Sequence, residues 1–181
     1  MSHKAVFLDL NGTLVMPVQT ESPDEYQPIA GSIEAVGVLT RAGFLCPVVT
    51  VQSRIEKGIY SEAEFRAWFK QLQDMFKAQG AALLGPYLCP HRFKTPCPCK
   101  KPQPTLYLQA AYDWDIDPTN SYVVGDTLDD IRTGKTIGAK TSFVRTGWAS
   151  RYLDEHGDEA DFIGEDVLAV AKWIVQADKT G

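Results

Sequence analysis

Asp9-Leu10-Asn11-Gly12-Thr13 sets a carboxylate and a turn directly after the apolar run Ala5-Val6-Phe7-Leu8. A buried strand ending in this way delivers a charged group to its C-terminal edge, where ligands bind in open α/β sheets. The plainer duty of such an Asp is to cap a turn. A second group of carboxylates, in Gly125-Asp126-Thr127-Leu128-Asp129-Asp130, follows the apolar residues from Ser121 to Val124, and Thr50-Val51-Gln52-Ser53 closes a third apolar run with hydroxyl and amide groups. Carboxylates from two strand ends tolerate one another when a hard cation such as Mg2+ lies between them. The Thr50 hydroxyl and the Lys101 ammonium suit the non-bridging oxygens of a phosphoryl group, which completes the parts needed for carboxylate attack on phosphorus.

A different chemistry is written into Cys89, His91, Cys97 and Cys99. The pattern C-x-H-x5-C-x-C offers three thiolates and one imidazole, a ligand set for tetrahedral Zn2+ in a closed structural site. No C-x-x-C pair is present to suggest redox work. With every position filled by protein, such a site leaves no room for a reactive water, so the expectation is a stapled loop that positions Lys100 and Lys101. Cys46 lies apart in an apolar run and reads as a small buried hydrophobe.

The elements that must carry these groups follow from periodicity. Buried strands are expected at Ala5 to Leu8, Phe44 to Thr50, Ala81 to Leu88, Ser121 to Val124 and Lys140 to Val144, with a short one at Asp161 to Ile163. Helices are expected from a Ser32 cap to Gly43, from the Ser61/Glu64 capping box through Phe76, from Thr105 to Tyr112, from the end of Gly125-Asp126-Thr127-Leu128-Asp129-Asp130 to about Ile137, and from Asp166 to Gln176. Phe65, Trp68, Phe69, Leu72, Met75 and Phe76 recur at helical spacing and read as core. Val15 to Gly31, with Pro17, Pro23 and Pro28, reads as a loop beside Asp9. The alternation predicts an α/β, Rossmann-like, mostly parallel sheet with helices on both faces, in one domain spanning residues 1–181 with a zinc-loop insertion at about 89–101 and no large cap domain. A length of 181 residues and 44% hydrophobic content suit one packed core. The net charge of -5 gives no electrostatic case for nucleic acid or an anionic membrane as partner. Neither a signal-peptide core nor a membrane span is visible, so the expected location is the cytoplasm. No heptad pattern is evident, and the expected state is a monomer.

The ordered set DLNGT, VVT, CKKP and VGDTLDD resembles the four motifs of the haloacid dehalogenase superfamily of phosphatases. Within it, VVTVQS, LCPH, CPCKKP and FVRTGW are similar to the D-glycero-D-manno-heptose 1,7-bisphosphate phosphatases and the related histidinol-phosphate phosphatases. The resemblance implies Asp9 as nucleophile, and Mg2+ held by Asp9, Asp126 and the main-chain carbonyl of Asn11, with Asp130 in support. It implies Thr50 and Lys101 on the phosphoryl group, Lys100 in substrate recognition where the family often has Arg, and Gln52, Ser53, Arg54 and Thr127 lining the substrate side. It gives the Cys/His loop its zinc ligand order, and implies a small phosphorylated metabolite as substrate, heptose 1,7-bisphosphate first and histidinol phosphate as the alternative.

The chain departs from the pattern where the family has Asp-x-Asp-Gly-Thr, because Asn11 occupies the second Asp position. That carboxylate protonates the leaving oxygen and then activates water, and Asn exchanges no proton near neutral pH. Loss of a general acid-base group costs on the order of 100-fold to 10,000-fold in rate. A protein that binds a phosphate ester without turning it over is the rival reading. Asn11-Gly12 is also a pair prone to deamidation. Val51 and Arg54 replace the family's Asn and Gly. The short zinc-loop spacer is shared with histidinol-phosphate phosphatases, whereas Arg145-Thr146-Gly147 is more like the heptose branch.

Overall fold

The computed structural model describes residues 2–180. Its centre is a parallel sheet of six strands: β1 (Val6–Leu8), β4 (Pro47–Val51), β5 (Leu84–Cys89), β6 (Tyr122–Gly125), β7 (Lys140–Val144) and β8 (Phe162–Gly164), in the order β5-β4-β1-β6-β7-β8. The register sets Leu8 beside Val48 on one side and beside Val124 on the other. Alternate residues divide between the two faces. Val6, Leu8, Val48 and Val124 pack into one core, while Ala5, Phe7, Val49 and Val123 pack into the other, as the two-residue period of a strand requires.

Helices α1 (Ser32–Arg41), α3 (Glu62–Lys77) and α7 (Val167–Thr180) cover the first face, and α4 (Thr105–Asp113) and α5 (Leu128–Thr136) cover the second. The helix α3 begins at the expected Ser61/Glu64 capping box. It buries Phe65, Trp68, Phe69, Leu72 and Phe76, but Met75 is exposed on its outer side.

Two local expectations are corrected. Helix α1 does include Ser32, yet its N-cap is Gly31 in a left-handed conformation, and the Ser32 hydroxyl is buried without a partner. The segment expected to be loop from Val15 to Gly31 contains a small antiparallel pair, β2 (Val15–Met16) with β3 (Gln27–Pro28), and a single 3-10 turn at Pro23–Glu25 capped by Ser22. Two short helices, α2 (Ser53–Glu56) and α6 (Leu153–His156), complete the fold. Among the described residues no helix is long and apolar enough to cross a membrane.

Candidate active site

The strand order reverses at β1: the chain moves outward through β4 and β5, then returns beside β1 with β6 and continues to β7 and β8. A crevice opens where neighbouring connections leave on opposite faces. Asp9 stands at that point, immediately after β1, with Thr50 near the end of β4 and Asp126 just after β6. Asp9 and Asp126 line a cavity of about 790 Å3, within the range of small-molecule sites.

Asp9, Asp126 and Asp130 bring one carboxylate oxygen each to within 4.8 Å of one another. Lys101 Nζ lies among them, donating to Asp9 Oδ1 at 2.7 Å and to Asp130 Oδ1 at 2.6 Å. Asp130 is further held by the Thr127 hydroxyl at 2.6 Å and backbone N–H at 3.2 Å. Burial pushes Asp9 up to about 6, with Lys101 pulling it down and Asp130 raising it again. Burial, then the charges of Asp9 and Asp130, push Asp126 up to about 8. Burial alone would lower Lys101, but Asp130 and Asp9 more than offset it and hold the ammonium well above its ordinary range. The carboxylates thus outweigh the one buried ammonium among them, and Asp126 Oδ1 is buried with no hydrogen-bond partner. Both facts fit a cation bound by oxygen ligands.

The pH dependence of that binding has a definite sign. In the metal-free protein the raised Asp9 and Asp126 values stabilise the fold below about pH 4, where the unfolded carboxyls are also protonated. This contribution is lost as the pH rises through about 6 for Asp9 and about 8 for Asp126. A cation competes with those protons. Mg2+ is therefore expected to raise the melting temperature more at pH 8.5 than at pH 5.5, and an equal rise at both would exclude these carboxylates as its ligands.

Two glycines hold Asp126 in place, and sequence reasoning missed their role. A Cβ on Gly147 (φ +64°) would lie 2.0 Å from Asp126 Oδ2 and 2.7 Å from the Gly12 Cα. The Trp148 backbone N–H donates to the same Oδ2 at 2.7 Å, and the Thr146 hydroxyl donates to the Gly12 carbonyl at 2.5 Å. Gly147→Ala is expected to cost about 1–3 kcal/mol of stability and to weaken Mg2+ binding. Gly43→Ala is the control for backbone strain alone, since Gly43 has φ +88° and nothing within 4 Å of its Cβ position. Equal Mg2+ affinity in the two variants would reject the clamp.

The other predicted residues divide. Asn11, Gln52, Ser53, Arg54, Lys100 and Thr127 all line the cavity. Gln52 is buried and donates from Nε2 to Asn11 Oδ1 at 2.5 Å and to Thr50 Oγ1 at 2.9 Å. Thr50 itself stands 3.5 Å from Asn11 Oδ1. Arg54 pairs with Glu21 at 3.2 Å. Lys100 Nζ donates to the carbonyls of Arg92, Phe93 and Thr95 at 2.7, 2.6 and 2.8 Å, so its ammonium ties down the turn between the cysteines. Glu56 holds the same turn from the other side, accepting from the Thr95 hydroxyl at 2.9 and 3.1 Å and from the Arg92 backbone N–H. The Gly12 N–H donates to the Val15 carbonyl at 2.8 Å, which occupies the nitrogen that deamidation of Asn11 would need.

Cys89, His91, Cys97 and Cys99 each bring a ligand atom within 4.8 Å of the others. The three cysteines are free thiols. Sγ of Cys89 is 3.7 Å from that of Cys97, and His91 Nδ1 is 3.5 Å from Cys89 Sγ and 3.3 Å from Cys99 Sγ. These three distances have the length of edges of a tetrahedron built on 2.0–2.3 Å metal–ligand bonds, while Cys99 Sγ lies closer to Cys89 Sγ, at 2.9 Å.

A carboxylate at the switch point of a parallel sheet, backed by a buried lysine and two further carboxylates, defines a phosphoryl-transfer hydrolase of the haloacid dehalogenase class. The HAD-hydrolase-like family model matches residues 98–170. The chain is 38% identical over 183 residues to the D-glycero-beta-D-manno-heptose-1,7-bisphosphate 7-phosphatase of Haemophilus ducreyi, covering 96% of this chain and 100% of that protein. It is 36% identical over 180 residues to the enzyme of the same name from Pasteurella multocida, covering 94% and 96%. Among solved structures, the D,D-heptose 1,7-bisphosphate phosphatase of B. bronchiseptica, crystallised with magnesium and phosphate, superposes with a TM-score of 0.85 at 28% identity, covering 96% of this chain and 99% of that one. The chain belongs to the D-glycero-beta-D-manno-heptose-1,7-bisphosphate 7-phosphatase family of haloacid dehalogenase-like phosphatases.

Proposed function

We propose that the chain is a Mg2+-dependent phosphatase that removes the 7-phosphate of D-glycero-beta-D-manno-heptose 1,7-bisphosphate through an aspartyl-phosphate on Asp9, at a rate limited by Asn11. The observation that carries this reading is Asp9 at the switch point, with oxygens of Asp126 and Asp130 within 4.8 Å and Lys101 between Asp9 and Asp130. The names of the relatives favour the heptose substrate over histidinol phosphate. In this reading Asp9 attacks phosphorus, and Lys101 and Thr50 donate to the phosphoryl oxygens as charge moves onto them. Asp9, Asp126 and the Asn11 carbonyl would hold Mg2+, with Asp130 fixing Lys101. When bound, Mg2+ supplies Lewis acidity toward a phosphoryl oxygen and offsets the repulsion between the Asp9 carboxylate and the phosphate dianion. Gln52, Ser53, Arg54, Lys100 and Thr127 shape the substrate side, and Arg54 adds a positive charge for an anionic substrate. The test is inorganic phosphate release from heptose 1,7-bisphosphate and from histidinol phosphate, with Mg2+, by the chain and by Asn11→Asp. Turnover of the heptose substrate that rises in Asn11→Asp supports the proposal. Preference of both forms for histidinol phosphate, or tight heptose-phosphate binding by calorimetry with no turnover by either, overturns it.

Zn2+ in the Cys89, His91, Cys97 and Cys99 site is proposed as a structural tie. Burial and the neighbouring Cys99 push the Cys89 thiol up, so a cation is needed for it to persist as thiolate. The Cys97→Ser, Cys99→Ser double variant is expected to lose zinc by elemental analysis and to become protease-sensitive between residues 89 and 101. Activity falls with it, because Lys101 follows directly on Cys99-Lys100. Zinc retained by the double variant would refute the assignment.

A further inference from the structure

We infer that this site selects phosphates whose leaving group departs as a stable anion, such as acyl phosphates, aryl phosphates and phosphoanhydrides, over simple alkyl phosphates. The inference rests on the Asp9 phosphatase reading, and under it the 7-phosphate of the heptose, an ester of a primary alcohol, is a slow substrate.

The ground for it is a chain of neutral hydrogen bonds that ends at Asn11. The Tyr60 hydroxyl donates to Gln52 Oε1 at 2.9 Å, and the Tyr26 hydroxyl lies 3.5 Å from the same oxygen and 3.2 Å from Tyr60. With its oxygen engaged, Gln52 must turn its NH2 toward Thr50 and Asn11. Asn11 in turn must present Oδ1 to Gln52, and its Nδ2 is left buried with no partner. Buried donors are almost always paired. Asn11 lines the cavity, so the unpaired amide N–H is kept for an oxygen of the molecule that enters there.

An amide N–H donates a hydrogen bond but gives up no proton. As the bond from Asp9 to phosphorus forms, the bond from phosphorus to the leaving oxygen breaks and its electron pair stays on that oxygen. The leaving group departs as an anion, hydrogen-bonded by Asn11, and takes its proton afterwards from water. A carboxylate, phenolate or phosphate leaves easily on these terms, whereas an alkoxide does not. In the second half-reaction water attacks phosphorus, the bond from phosphorus to Asp9 breaks with its pair returning to the carboxylate, and both hydrogens of the water leave on the phosphate. No base at position 11 assists, so the aspartyl-phosphate is long-lived.

The experiment compares kcat/KM with Mg2+ on p-nitrophenyl phosphate, phenyl phosphate and a primary sugar phosphate, in the chain and in Asn11→Asp. Intact-protein mass is followed after exposure to acetyl phosphate, and peptide mass confirms Asn11 before each assay. Asn11→Asp is expected to gain about 100-fold to 10,000-fold on the sugar phosphate and less than about tenfold on p-nitrophenyl phosphate. The unaltered chain is expected to accumulate a phosphoryl adduct that Asn11→Asp clears. Equal gains across the series overturn the inference. So does a flat series in the unaltered chain that steepens in Asp129→Asn, which assigns proton donation to Asp129, a cavity-lining carboxyl on α5. If neither the chain nor Asn11→Asp takes up a phosphoryl group or turns over any substrate, the phosphatase reading falls and this inference falls with it.

Discussion

In Asp9→Asn, phosphate release is expected to drop by at least about 10,000-fold, to background, while the folded protein survives or gains stability. The loss follows from chemistry: the Asp9 carboxylate oxygen is the atom that bonds to phosphorus, and an amide oxygen is a poor nucleophile. The stability side follows from electrostatics. Burial pushes Asp9 up to about 6, and after burial itself Asp9 is the largest cause raising Asp126 to about 8. Removing that charge lowers the cost of ionising Asp126, so the metal-free variant is expected to melt higher than the parent at pH 8. Lys101 retains Asp130 at 2.6 Å and is not orphaned. Phosphate assay and calorimetry at pH 8 check both halves. Residual turnover above background would remove Asp9 from the chemistry. A lower melting temperature would mean that its pairing with Lys101 outweighs the carboxylate repulsion.

Asp9, Asp126 and the cysteine loop were legible because each is a local pattern: an apolar run stopped by a charge, or ligand types at fixed spacing. Strand neighbours were legible only as a class, since the alternation of elements specifies a parallel sheet but not that Leu8 sits between Val48 and Val124. Residues whose work depends on a distant contact gave no signal. Gly147 matters because Asp126 and Gly12 crowd it, and nothing near position 147 announces that. Tyr26 and Tyr60 belong to no motif, yet their hydroxyls orient Gln52 and through it Asn11. By resemblance Lys100 reads as a substrate-recognition residue, but three backbone carbonyls of its own loop surround its ammonium. The pair of two-residue strands inside the Pro-rich segment was too short for alternation to register.

Lys101→Met should separate what holds the site together from what makes it react. The ammonium is buried, bonded to Asp9 and Asp130, and lies 5.9 Å from the centre of the Tyr107 ring. Methionine keeps most of the stem and removes the charge, leaving carboxylates buried without their cation. Breaking a buried ion pair from one side costs about 3–5 kcal/mol. The sign with pH is fixed: without Lys101 the Asp9 carboxyl moves still higher than about 6. Above that value the variant still holds a proton that the parent has released, so its deficit against the parent grows as the pH rises through about 6. Urea unfolding is expected to give a larger loss at pH 8 than at pH 5. Added Mg2+ recovers part of the loss at pH 8, because a cation among the carboxylates replaces the missing counter-charge. Turnover does not recover with it, since no ammonium remains to donate to the phosphoryl oxygens. A loss of stability equal at pH 5 and pH 8 and indifferent to Mg2+ would instead trace the effect to packing against Tyr107, and would deny Lys101 its electrostatic role in the fold.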